Sequence, residues 1–213
     1  MEIRAYDEEY LPYAQKNMGD MLDFAVNTCG YDLGDFYSMF LVSGVADQIE
    51  MGNVTFLVGN NGCELARKVI EKCLRQNIPL EDSIYLDKSP EYWAGWAVCF
   101  YQWHTCRPFY KINKAISVQE IVDIYEIYHE MDIMHFVDFL NDRWNQFYTD
   151  TNLKRYRKNA GLSQGQLAQM SGVSIRQIQV FEQRKRNINL TRAIDLFKLS
   201  KVLNCKSEEL LEI

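Results

Sequence analysis

Apolar positions recur at intervals of three and four along most of the chain, the spacing that lines one face of an α-helix. Leu11, Ala14, Met18, Met21, Leu22, Ala25 and Cys29 form one such stripe, closed by Gly30. A second helix is predicted from Asp32 or Asp35, with Phe36, Met39, Phe40 and Val45 inward. Val54 to Val58 reads as a strand or as plain extended chain, and Cys63 to Arg75 as a third helix led in by Asn60 to Gly62. Ser89 followed by Pro90 is a helix start, since proline at the first helical position forfeits no hydrogen bond. Behind it Trp93, Trp96, Phe100 and Trp103 follow at spacings of three, four and three. Ser117 to Tyr128 and Asp132 to Tyr148 make two more helices, the latter with Phe136, Leu140, Trp144 and Phe147 inward.

The last 60 or so residues carry the clearest punctuation. Leu153, Tyr156 and Arg157 open a short helix that Gly161 ends. Ser163 then supplies a capping hydroxyl for a helix running to about Met170, with Leu167 and Ala168 inward. Ser171 and Gly172 break it, because a glycine just past a helix end takes the left-handed conformation without a Cβ clash. Ser174 caps the next helix, whose inward residues are Ile178 and Phe181. A fourth is predicted with Ile194, Phe197 and Leu203 inward and Asn204 at its end. A last short one is expected to be capped by Ser207 and to finish in Leu210 and Leu211. We therefore expect an all-α protein: a multi-helix portion over 1–150 and a five-helix domain over 151–213.

Charge separates the same two portions. Asn152 to Ile213 holds 12 Lys and Arg against 5 Asp and Glu, a net of +7. The whole chain holds 23 and 29, so Met1 to Thr151 holds 11 basic and 24 acidic residues, a net of -13. An asymmetry of this kind points to a nucleic-acid-binding module joined to something that is not one. At 213 residues, 47% hydrophobic, with only 4 prolines and 11 glycines, the chain is composed like an ordinary folded protein. Its opening residues carry four acids and no apolar run, and no stretch reaches the roughly 18 apolar residues that cross a bilayer. We expect a cytoplasmic protein without membrane contact.

A small residue at Ala168, a turn glycine at Gly172 and an apolar residue at Ile178 let two helices cross closely and steeply, the helix-turn-helix requirement. The segment from Leu153 to Leu211, with Gln164, Ala168, Gly172, Val173, Ile178 and Glu182 in place, resembles the Cro/repressor, or XRE, family of DNA-binding domains. That resemblance implies a third helix in the major groove of an operator, with Ser174, Ile175, Arg176, Gln177 and Gln179 toward the base edges. Arg176 is the best candidate for direct readout, since a guanidinium reaches O6 and N7 of guanine together. Gln179 is open to either an adenine or a phosphate, and Ile175 to a thymine methyl at most. Gln164 matches the family's phosphate-contacting glutamine at a helix N-terminus. Arg184, Lys185 and Arg186, in the turn after the third helix, are expected to meet phosphates. Repressors of this type bind paired half-sites about one helical turn apart, which implies a homodimer.

Chemistry elsewhere is sparse. Gly59-Asn60-Asn61-Gly62 lacks the residues of a phosphate loop and reads as a capping turn. Cys99, His104 and Cys106 do not share a helical face, and His129 and His135 lack metal-ligand spacing. The six cysteines show no C-x-x-C pair, so reduced and mostly buried thiols are expected. Nothing calls for a cofactor, a metal or an enzymatic activity. The aromatic run from Tyr92 to Trp103 has two readings: a buried central helix, or a partner-binding groove using Tyr92, Trp93, Trp96 and Trp103. The segment EYWAGWAVCFYQWHTCRPF, with the later EIYHEMD, is similar to the N-terminal region of regulators encoded in Firmicute genomes beside small toxin-like proteins. It implies an antitoxin, in which the acidic portion neutralises a toxin and the basic module represses the shared operon. The alternative is a regulator without a toxin whose helical portion senses a small ligand or only dimerises.

Overall fold

The computed structural model describes residues 3–79, 81–82 and 87–212, and among them the chain is helical with no strand. It divides into two compact units, Met1–Asn145 and Gln146–Ile213.

The first unit is built on α1 (Leu11–Asp23), which extends through a π-helical turn over Phe24–Thr28. Asp32 caps α2 (Leu33–Val42) by accepting from the Asp35 amide. The apolar stripe predicted as one helix then breaks at Gly44, whose φ of 78° only glycine adopts freely, and resumes as α3 (Val45–Glu50). Val54 to Leu57, expected to be extended, is a helical turn, α4, because the Asn53 side chain accepts from the Thr55 amide and starts it. The Asn60 to Gly62 turn is a helix start as expected. Asn61 and Glu64 form a reciprocal capping box at the head of α5 (Gly62–Leu74).

Ser89 caps α6 (Pro90–Thr105), which runs against α1. Two glycines allow the approach. A Cβ on Gly95 would overlap the Met18 carbonyl of α1 and lie 2.8 Å from its carbon, and one on Gly19 would meet the Tyr92 ring at 2.7 Å. Around this contact lie Met18, Met21, Leu22, Phe36, Phe40 and Cys99, all inaccessible to solvent. A further helix, α7 (Phe109–Ala115), was not anticipated; its Phe109 packs edge-on against Phe40 at 5.4 Å. The segment expected as one helix over Ser117 to Tyr128 is two short ones, α8 (Val118–Asp123) and α9 (Tyr125–Tyr128). Helix α10 (Ile133–Phe147) buries Phe136, Leu140 and Trp144, but Phe147, expected inward, is 54% exposed. Of the six free cysteines only Cys63 and Cys99 are fully buried; the other four are half-buried.

The second unit contains α11 (Asn152–Asn159), α12 (Gln164–Ser171), α13 (Ile175–Glu182), α14 (Ala193–Leu203) and a closing 3-10 turn, Ser207–Leu210. Leu153, Leu167, Val173, Ile178, Phe181, Leu199, Leu203 and Leu210 form its core. Two expected core residues are not there: Ile194 and Phe197 are 52% and 51% exposed. The buried face of α14 instead carries Asp195, Leu199, Ser200 and Leu203, with Asp195 bonded to Arg192 at 2.9 and 3.2 Å. Asn204 ends α14 at φ 49°, as its position implied. Ser207 is not the cap of the last turn; Lys206 holds that place, and the Ser207 hydroxyl lies 3.0 Å from that of Ser200.

Candidate nucleic-acid interface

The turn between α12 and α13 is fixed by local chemistry. Gly172 adopts φ 68° at the end of α12, and its N–H returns to the Ala168 carbonyl. The Ser171 hydroxyl donates to Leu167 O at 2.6 Å and accepts from the Val173 amide at 3.2 Å, while Val173 plugs the core. Ser174 caps α13 by accepting from the Gln177 amide at 3.3 Å. Ile178 and Phe181 anchor the helix inward, so its first turn faces water. Ser174, Ile175 and Arg176 are exposed, and Gln177 and Gln179 are half-exposed. Every residue expected to read bases therefore lies on or beside one accessible end of α13.

Behind that surface is an ion pair that residue spacing alone did not assign. Arg157 of α11 donates through Nε to Oε1 of Glu182 at 2.6 Å and through Nη2 to Oε2 at 2.8 Å; its Nη1 also donates to Leu162 O at 2.7 Å. The two side chains are 11% and 2% exposed, and the carboxylate pushes the Arg157 pKa further up. Gln164 at the head of α12 donates from its amide nitrogen to the same Oε2 at 2.8 Å. A carboxamide nitrogen has two N–H donors, so one is committed to Glu182 and sets the direction of the other. Glu182 stood in the sequence motif, but its role needs α11 brought against α13.

The three residues expected to meet phosphates divide. Lys185 and Arg186 are exposed, with Arg186 lying over the Phe181 ring at 6.0 Å. Arg184, at φ 53°, turns inward: its guanidinium reaches Glu212 Oε2 and the Thr149 carbonyl, both at 3.4 Å. Next along the chain from Thr149, Asp150 lies 2.6 Å from both Lys154 and Lys158, and their hydrogen bonds hold its carboxyl down at about 2.

The aromatic residues singled out for partner binding also divide. Trp103 is 5% exposed and donates its indole N–H to Tyr6 O at 2.9 Å, under the Arg4 guanidinium; it belongs to the core and not to a partner surface. Tyr92, Trp93 and Trp96 share one cavity of about 420 Å³ with Tyr125, Tyr128 and His129 of the α9 region. Lys88, Met131 and Ile133 complete its wall. Trp93 is mostly buried, held edge-on between Tyr125 at 5.7 Å and Phe136 at 5.3 Å, and contributes only a margin. His129 stacks on Tyr125 at 4.3 Å and donates from Nδ1 to the Tyr125 carbonyl. Among the described residues no group of three or more His, Cys, Asp or Glu is placed to hold a metal. No described helix is long and apolar enough to cross a membrane.

A helix-turn-helix family model matches residues 153–210, the same stretch that presents this surface. No curated protein and no solved structure matches the chain. The second unit is thus a helix-turn-helix domain of the Cro/repressor type, and the chain is a DNA-binding transcriptional regulator.

Proposed function

We propose that the chain is a repressor that binds paired operator half-sites as a homodimer and doubles as the antitoxin of a toxin encoded nearby. In this reading Arg176 reads guanine and Gln177 and Gln179 sit beside it. Gln164, Lys185 and Arg186 hold phosphates, while Arg184 braces the unit that carries them. The observation that carries the toxin-binding half is the gathering of Tyr92, Trp93 and Trp96 with three further aromatic residues at one cavity of a strongly acidic portion. Aromatic anchors dominate the energetics of protein interfaces, and an acidic surface attracts a basic partner while repelling DNA. A second reading, a sensor of a small effector, is supported by the cavity itself, whose volume lies within the roughly 300–1,000 Å³ of small-molecule sites.

The test is growth of a heterologous host expressing the adjacent gene, with and without the full-length chain. Arrest relieved by the chain, and still relieved when Arg176, Lys185 and Arg186 are alanine, supports neutralisation by the acidic portion. A harmless neighbour that does not bind the chain removes the antitoxin reading and leaves the sensor.

A further inference from the structure

The aromatic cavity has a chemistry of its own. Six of its nine lining residues carry aromatic rings, and ring faces hold negative quadrupole density that attracts cations. One cation already uses them: the Lys88 ammonium lies 4.1 Å over the Tyr92 ring and pairs with Asp20 at 3.1 Å. Asp20 is also engaged by Lys16 at 2.6 Å. The α9 end of the cavity is bordered in sequence by Glu126, Glu130 and Asp132, all exposed. No Lys or Arg occurs between Tyr125 and Asp142, and Lys88 in the cavity wall is already paired with Asp20.

Large apolar side chains surround the same segment. Ile127, Met131 and Met134 are 57%, 49% and 41% exposed. Only Met131 of these lines the cavity, so a solute contained within it would leave Ile127 and Met134 in water. A protein surface laid over this segment could cover all three, and exposed apolar side chains among charged ones mark such contacts. We propose that the cavity is the docking point for a protein partner that inserts an arginine or lysine side chain beside Trp96 and Tyr125, toward the acidic α9 end and away from Lys88. Its flanking apolar residues would cover Ile127, Met131 and Met134. The proposal rests on the partner-binding reading above and specifies the chemistry of the partner.

The full-length chain labelled with 5-fluorotryptophan provides the test, its four indole resonances assigned by single Trp→Phe variants. The probe is Nα-benzoyl-argininamide, compared with its citrulline counterpart, which has the same shape and no charge. The expected result is a saturable shift of the Trp96 resonance with Trp144 unmoved. Binding of the citrulline compound should be about tenfold weaker, the scale of a partly desolvated cation–π contact. Replacing Glu126, Glu130 and Asp132 by their amides should weaken the arginine probe several-fold. Equal binding of both compounds, tighter binding of benzoyl-glutamate, or no shift at Trp96 overturns the proposal. The adjacent gene product then separates the two levels. If it binds the chain but Trp96→Ala and Ile127→Ser leave its affinity unchanged, the cavity proposal falls and the antitoxin reading stands. If the probe shows the charge preference while that gene product binds nowhere, the cation chemistry of the cavity is supported and the antitoxin reading falls alone.

Discussion

Arg157→Ala isolates the buried ion pair that braces the DNA-binding unit. The substitution removes two donors from Glu182, which is 2% exposed, and leaves its carboxylate facing only Gln164. It also takes the donor at 2.7 Å from the Leu162 carbonyl. Breaking a buried pair from one side costs about 3–5 kcal/mol, because the survivor keeps its desolvation penalty without its counter-charge. Against a total stability of about 5–15 kcal/mol, that is a large share. The double variant Arg157→Met with Glu182→Leu should lose far less, within about 2 kcal/mol of the parent, since neither charge is left stranded. Hydrogen exchange read peptide by peptide on the intact chain is the suitable assay, because it follows α12 and α13 separately from the first unit. In the single variant amides of α12 and α13 should exchange about 100-fold to several thousand-fold faster, at about 1.4 kcal/mol per decade. The double variant should stay within about thirtyfold of the parent. Its operator affinity should nonetheless fall, because Gln164 has lost the carboxylate that orients it. Exchange in Arg157→Ala within tenfold of the parent, or a double variant worse than the single one, would refute this account of the pair.

Three further outcomes are expected. Gly95→Ala forces a methyl into the Met18 backbone of α1 and should cost about 2 kcal/mol or more; Trp93, Trp96, Trp103 and Trp144 all lie in that unit, so indole fluorescence during urea unfolding reads it. Burial pushes Glu50 up to about 7 from an ordinary 4.5, partly offset by the Phe109 amide at 2.6 Å. The native state therefore holds the proton that the unfolded chain releases, so this group's contribution declines as pH rises from about 4.5 to 7 and is flat above. Thermal unfolding of Glu50→Gln should lose that slope; an unchanged slope would place the titration elsewhere. Lys185→Ala with Arg186→Ala should lower affinity alike for operator and random DNA and reduce the salt slope by about two. A slope that does not change would remove both from the phosphate contacts.

Helix ends were more legible in the sequence than helix faces. Ser89, Asn61, Ser163, Gly172, Ser174 and Asn204 each act where their side-chain or backbone chemistry placed them, since a cap depends on residues within one turn. Faces depend on what arrives from elsewhere. Ile194 and Phe197 keep a helical spacing, yet Leu199 and Leu203 keep one too, and only packing decides that the second set is inward. Val54 to Val58 reads as strand or extended chain, but the Asn53 cap prevails over the β preference of the branched Val54 and Thr55. The surface proposed to read bases could be named because family pattern and capping agree over one short stretch. The cavity could not, since it needs α6 beside an α9 segment some thirty residues later, and periodicity alone could not separate Trp103 in the core from Trp96 at the cavity.

On the proposed function, α13 reads DNA sequence through Arg176. Fluorescence anisotropy of the full-length chain on the DNA upstream of its own gene and on random duplex, with and without Arg176→Ala, tests it most directly. A bidentate contact to guanine is worth about 1–3 kcal/mol, so the variant should lose about fivefold to 150-fold on the upstream site and little on random DNA. Equal losses on both duplexes across a salt titration, or no preference of the parent chain for the upstream site, would contradict it.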